Sequence, residues 1–207
     1  MELDRIQSDI RKHLEEKNSA RELTLPLCRQ AIRLSANAIR AIHRSEALDA
    51  ISLMDQAKAC LVEAAAATEG HPDIRFAGFV HDAAKEYAEA RITYALVFTE
   101  QMPSPKDLDI GIPAYLNGMG EAIGEMRRHL LDLMRQGHLD RSEELLGAMD
   151  DIYYLLIGMD FPDAMTGGLR RTTDVARSII ERTRGDLSTT IIQEKLKAAL
   201  DHSTGQQ

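Results

Sequence analysis

The chain is predicted to be all-α, a bundle of six to seven mostly antiparallel helices forming one domain over residues 1–207. Three observations predict it. Apolar residues recur at helical spacing along nearly the whole length, no stretch sustains the alternation of a strand, and 13 Gly with 6 Pro are too few for a many-turned β-sandwich. An apolar fraction of 44% also excludes a disordered chain.

The first helix spans residues 2–44, through Leu3, Ile6, Ile10 and Leu14 and then Leu27, Leu34, Ile39 and Ile42, and Pro26 is expected to kink or split it. Ser45 is the expected N-cap of a second helix with a buried stripe of Leu48, Ile51, Met54, Ala57, Leu61, Val62 and Ala65, which Gly70-His71-Pro72 ends. A third helix runs from about Pro72 to Thr99 and stops at Met102-Pro103-Ser104-Pro105, with residues 107–112 as a short loop. Pro113 suits the first turn of a fourth helix, in which Ile112, Leu116, Met119, Ile123, Met126, Leu130 and Leu133 form a packing seam closed by Gly137. Ser142-Glu143-Glu144-Leu145 opens a fifth helix through Met149, Ile152 and Leu156 to Gly158. After Pro162 the segment 165–202 is helical, weakened at Gly185, and carries Val175, Ile179, Leu187, Ile191, Leu196 and Leu200.

Charge and targeting signals narrow the function. Lys and Arg number 25 against 33 Asp and Glu, a net charge of -8, which disfavours a polybasic nucleic-acid binder but leaves room for a local basic stripe. No run approaches the ~20 apolar residues of a membrane span and the N-terminus carries no basic, then apolar, leader, so a cytoplasmic protein is expected. Cys28 and Cys60 lie in apolar-patterned stretches and are expected to be buried free thiols of a reducing compartment.

Chemistry concentrates in the third and fourth helices. Glu86 and Glu89 share a face at i, i+3, and Glu86 interrupts the apolar row Phe79, Ala83, Ala90, Val97. Glu121 and Glu125 share a face at i, i+4 beside Gly118, Gly120 and Gly124, whose missing side chains let a neighbouring helix approach. In an antiparallel hairpin, Glu89 and Glu86 stand roughly 15 and 20 Å from the loop and Glu121 and Glu125 roughly 12 and 18 Å, so the heights match. Four carboxylates at one level repel unless a divalent cation neutralises them, and an all-oxygen site suits Mg²⁺ or Mn²⁺. The alternative is four solvated glutamates. A ferritin-like di-iron site needs Glu-x-x-His on two helices, yet Ile92 follows Glu89 and Arg128 follows Glu125 at that spacing. None of the 7 histidines forms an HxxxH or zinc pattern, and Gly167-Gly168 lacks the Walker lysine or GxGxxG of a phosphate loop.

Arg29, Arg33, Arg40 and Arg44, with His43, fall in one sector of the first helix and could follow a phosphate backbone or form a solvated face. Lys85, Arg91, Arg127 and Arg128 sit beside the carboxylates, as does His129.

At Leu27-Cys28-Arg29, Ile39 and His43-Arg44, at Lys85-Glu86-Tyr87-Ala88-Glu89-Ala90, and at Tyr115-Leu116-Asn117-Gly118 through Glu121 to Gly124-Glu125-Met126-Arg127-Arg128, the sequence resembles the translin family. It is most similar to the translin-associated factor X branch. The resemblance covers nearly the whole chain and implies a single translin-like helical domain. It further implies a closed octameric shell that binds single-stranded RNA or DNA inside, and a metal-dependent endoribonuclease site facing the interior. The branch's acidic ligands fall on Glu86, Glu89, Glu121 and Glu125, which would hold Mg²⁺ or Mn²⁺ and carry the catalysis. Arg29, Arg33, Arg40, His43, Arg44, Lys85, Arg91, Arg127 and Arg128 would bind the nucleic acid. Glu121 departs from the family's Asp by one methylene. Pure translins lack the full acidic set and bind without cutting at this site, so a non-catalytic single-strand-binding protein is the alternative.

Overall fold

A computed structural model describes residues 2–204, with side chains through residue 202. Among the described residues there is no strand, and nine helices follow in order: α1 (Glu2–His43), α2 (Ala47–Ala67), α3 (Pro72–Arg75), α4 (Gly78–Phe98), α5 (Pro105–Leu108), α6 (Ile112–Arg135), α7 (Leu139–Ile157), α8 (Asp163–Thr166) and α9 (Leu169–Thr204). Three of these are single turns of 4 residues. The six long helices match the expected bundle.

The helix α6 lies at the centre. It packs on α4 along one side and on α7 and α9 along the other, while α1 and α2 cover α4. This enclosure explains why every residue from Ala114 to Gly120 is buried, all round the helix rather than along one stripe. Two glycines make the enclosure possible. A Cβ on Gly118 would fall 2.6 Å from the Lys85 carbonyl oxygen and 2.8 Å from the Ala88 Cβ of α4, and one on Gly120 would collide with Thr172 of α9. At Gly124 a Cβ would meet only Ile179 at 4.0 Å, an ordinary contact, so that position does not need glycine.

Several boundaries differ from expectation, each for a local reason. Pro26 neither splits α1 nor ends it; the residue is exposed, so the carbonyl four residues back that loses its partner faces solvent. Ser45 closes α1 instead of opening α2. Its φ of 61° is left-handed, and the Glu46 N–H donates to the Ala41 carbonyl at 2.9 Å in a Schellman-type turn. The buried face of α2 is Ala50, Met54, Ala57, Cys60 and Ala64, rotated from the expected stripe, and Leu48 is 83% exposed. Small side chains let α1 and α2 approach closely, which outweighs burial of the larger residues. The expected third helix breaks at Phe76-Ala77 into α3 and α4. The expected loop 107–112 begins inside α5, where Ser104 and Asp107 form a reciprocal capping box. The helix α7 starts three residues before Ser142, which is buried and donates its hydroxyl to the His138 carbonyl at 2.9 Å. Gly185 sits within α9 without interrupting it. Cys28 and Cys60 are free and buried, and burial pushes the Cys28 thiol up to about 11.

Candidate metal centre and adjoining cleft

The close approach at Gly118 sets the register between α4 and α6: Ala88 faces Gly118, and Lys85 reaches Glu121, so the two helices run antiparallel. That register brings Glu86 and Glu89 against Glu121. Oxygens from these three carboxylates lie within 4.8 Å of one another.

Their electrostatics are those of a site short of positive charge. Glu89 is 9% exposed, and its carboxyl is pushed up to about 8 by burial and then by the charges of Glu86, Glu121 and Glu125. Burial, with Glu121 behind it, also raises Glu86. The sole ammonium in the cluster is Lys85, whose Nζ donates to Glu121 Oε1 at 2.7 Å. Burial works against the Lys85 charge, but the hydrogen bond to Glu121 and the surrounding carboxylates hold it above its ordinary value. One lysine against three carboxylates leaves hard oxygen donors that a divalent cation of the Mg²⁺ or Mn²⁺ class fits.

Glu125 stands apart from this trio. Its Oε2 lies 2.5 Å from His43 Nε2, and that hydrogen bond holds its carboxyl below the ordinary range despite burial. The structure therefore places His43 away from the basic stripe: its side chain is 5% exposed and turned in toward α6. Its Nδ1 is buried and without a hydrogen-bond partner among the described residues. The His129 ring is 6.4 Å away, and burial, followed by the charge of His43, depresses the His129 imidazole.

The trio lines one wall of a cleft of about 840 Å³ whose other wall is the α8–α9 turn. Asn117 fixes that turn: its amide donates to the Pro113 and Thr166 carbonyls, both at 2.8 Å, and its carbonyl accepts from the Thr172 hydroxyl at 2.6 Å. Gly167 and Gly168 have φ of +63° and +82°, and a Cβ on Gly167 would come within 3.3 Å of the His81 ring. Sequence reasoning missed Asn117, His81 and the Gly167–Thr172 segment as parts of the site. The Gly-Gly pair ahead of a helix was the available signal.

Of the basic residues named from sequence, only Lys85 lines the cleft. Arg91 faces Asp55 at 3.9 Å, and Arg127 donates to Thr183 at 3.0 Å and Asp186 at 2.7 Å. Arg128 is exposed, and its charge helps to lower Glu125. On α1, Arg40 donates to Asn37 at 2.5 Å and Arg44 to Glu46 at 2.9 Å, while Arg29 and Arg33 are exposed.

Fold and cleft define an all-helical protein in which two antiparallel helices present carboxylates beneath the start of a third. The chain is 32% identical over 189 residues to the uncharacterized protein MJ0175 of Methanocaldococcus jannaschii, covering 91% of this chain and 84% of that one. It superimposes on AfC3PO in complex with duplex RNA with a TM-score of 0.83, and on AfC3PO alone with 0.82. Identity is 32% in each case, over 93% of this chain and 98% of that one. Apo-NeC3PO, at 19% identity and a TM-score of 0.76 over 91% of this chain and 96% of that one, shares the fold. No protein-family model matches the chain. AfC3PO and NeC3PO are translin-family proteins, and the chain belongs to the translin family.

Proposed function

We propose that the protein is a metal-dependent endoribonuclease, of the translin-associated factor X type, that binds and cleaves single-stranded RNA within an oligomeric shell. The observation that carries this reading is the convergence of Glu86, Glu89 and Glu121 at one edge of an open cleft. Mg²⁺ or Mn²⁺ held there would activate water and offset charge developing on a phosphodiester. The chain's own contribution is positional. Glu89, buried deepest, would anchor the cation, while Glu86 and Glu121 would complete its oxygen shell. Lys85 fixes Glu121, and Glu125, restrained by His43, would shape the field beside the trio.

RNA binding is supported by the relationship to AfC3PO, which has been solved with duplex RNA, so single-stranded and duplex substrates belong in the same test. Single-stranded DNA is a further candidate ligand. The exposed faces of Arg29, Arg33, Arg40 and Arg44, with Arg91, Arg127 and Arg128, would meet the backbone outside the cleft. Assembly with further copies is supported by apolar rows left exposed on one chain, Leu3, Ile6, Ile10 and Leu14 on α1 and Ile192 and Leu196 on α9, and the octamer is the form the family resemblance suggests for it. No described helix is long and apolar enough to cross a membrane. We place the protein in the cytoplasm.

A non-catalytic binding protein is the second reading. It is favoured by the pairing of Glu121 with Lys85 and of Glu125 with His43. Cleavage of a labelled oligoribonucleotide in Mg²⁺ or Mn²⁺, in EDTA and with added iron separates the readings. Loss of cleavage in EDTA with unchanged helical circular dichroism is the expected result. Binding without cleavage in every metal supports the second reading, and activity restored by iron alone points to a different metal centre.

A further inference from the structure

The carboxylate wall cannot by itself seat a phosphodiester, because Asp82 and Asp163 add to the negative charge that Glu86, Glu89 and Glu121 bring to the cleft. Lys85 is already committed to Glu121. The cation left on the cleft lining is Arg171, on the far wall in the first turn of α9.

Arg171 is exposed, and none of the ion pairs or side-chain hydrogen bonds among the described residues engages its guanidinium. Its neighbour Arg170 points elsewhere, toward Asp160 at 3.5 Å. The first turn of a helix is the positive end of its dipole, and this turn contains no acidic residue, so its backbone adds to the attraction of Arg171 for an anion. The backbone that carries Arg171 is held firmly, through the Thr172 hydroxyl on Asn117 and through the Thr166 carbonyl that Asn117 also engages. An arginine on a fixed turn, with no side-chain partner among the described residues and across a cleft from a cation-seeking cluster, is arranged for an anion that enters the cleft.

Resting on the nuclease reading of this same site, we propose that Arg171 is the phosphate-seating residue: its guanidinium grips a backbone phosphate of RNA across the cleft from the carboxylate trio. The planar fork of arginine suits two phosphate oxygens at once. The contact holds the phosphodiester in place against repulsion by the neighbouring carboxylates.

The test measures binding and cleavage separately. Affinity of a short fluorescein-labelled 2′-O-methyl oligonucleotide is read by anisotropy across a salt series in Ca²⁺, for the parent, Arg171→Ala and Arg171→Lys. Loss of one charge-assisted contact is expected to weaken binding about 10- to 100-fold in Arg171→Ala. It should also reduce the slope of log Kd against log salt by about 0.7. Arg171→Lys should recover only part of the affinity. Mn²⁺ affinity should be unchanged in both variants, because the carboxylates are untouched. Single-turnover cleavage of the matching RNA is followed in parallel. If the parent cleaves but Arg171→Ala binds and cuts like the parent, the seat is overturned and the nuclease reading stands. If the parent binds without cutting and Arg171→Ala loses the affinity, the seat stands and the nuclease reading falls. A parent that does not bind, or an Arg171→Ala variant with lost Mn²⁺ binding, overturns the seat.

Discussion

Replacing Glu89 by Gln should make the metal-free protein more stable, by an amount that grows with pH. In the folded chain the Glu89 carboxyl holds its proton to about 8, against 4.5 ordinarily, because it is buried among Glu86, Glu121 and Glu125. Between those values the unfolded state binds fewer protons than the folded one, so the parent loses stability as pH rises through the interval. At 1.36 kcal/mol per unit the loss is about 3 kcal/mol by neutral pH and about 5 kcal/mol once the folded carboxyl ionises. Glutamine keeps the shape and carries no charge, so the variant escapes this loss. Urea unfolding in EDTA at about pH 5, 7 and 9 should show near-equal stabilities at the acidic end and a widening advantage for Glu89→Gln above it. Saturating Mn²⁺ should reverse the order, because a ligand that binds only the folded state stabilises in proportion to its occupancy, and the parent binds it more tightly. A difference that stays constant over the range, or narrows as pH rises, refutes the reasoning.

Other perturbations have equally defined outcomes. Gly118→Ala places a Cβ against the Lys85 carbonyl and Ala88, so α4 and α6 must separate; thermal unfolding should show a loss of about 1–3 kcal/mol and Mn²⁺ affinity should fall with it. His43→Ala leaves the half-buried Glu125 carboxylate without its donor and should cost about 1–3 kcal/mol at neutral pH, most of it absent from His43→Gln if the amide reaches Glu125. Because Glu125 is lowered in the folded chain, the stability from that pair is present above its ordinary value and is lost as pH falls through the depressed one, which acid unfolding of parent and His43→Ala will show. Neutralising Arg29 and Arg33 together should weaken RNA binding uniformly across sequences and flatten its salt dependence, read by anisotropy over a salt series.

Much of the architecture was readable because the signals were local. Gly137, with φ of +82°, closes α6 where the seam ended, and Pro113 opens that helix one residue in from Ile112. The carboxylates were legible for the same reason: Glu86 breaks an apolar row, and the glycines of α6 announce a close neighbour. Errors arose where tertiary contact outranked local preference. The face of α2 turned toward α1 because alanines allow close packing, leaving Leu48 outside, and Ser45 satisfied the end of one helix rather than the start of the next. His43 shares a helical sector with the arginines, yet it reaches Glu125 across 82 positions of sequence, and spacing along α1 carries no trace of that. Arg171 was invisible for a related reason: its significance comes from the cleft wall opposite, not from its neighbours in the chain.

The account rests on Glu86, Glu89 and Glu121 acting as one cation-holding unit. Single-turnover cleavage of a labelled single-stranded oligoribonucleotide in Mn²⁺ tests this most directly, comparing the parent with Glu86→Gln, Glu89→Gln and Glu121→Gln and with their double combinations. All three single variants should lose most of the activity, with doubles scarcely worse than singles, because residues that act together do not contribute separately. Full activity in any two of the single variants, or losses that simply multiply in the doubles, would contradict it.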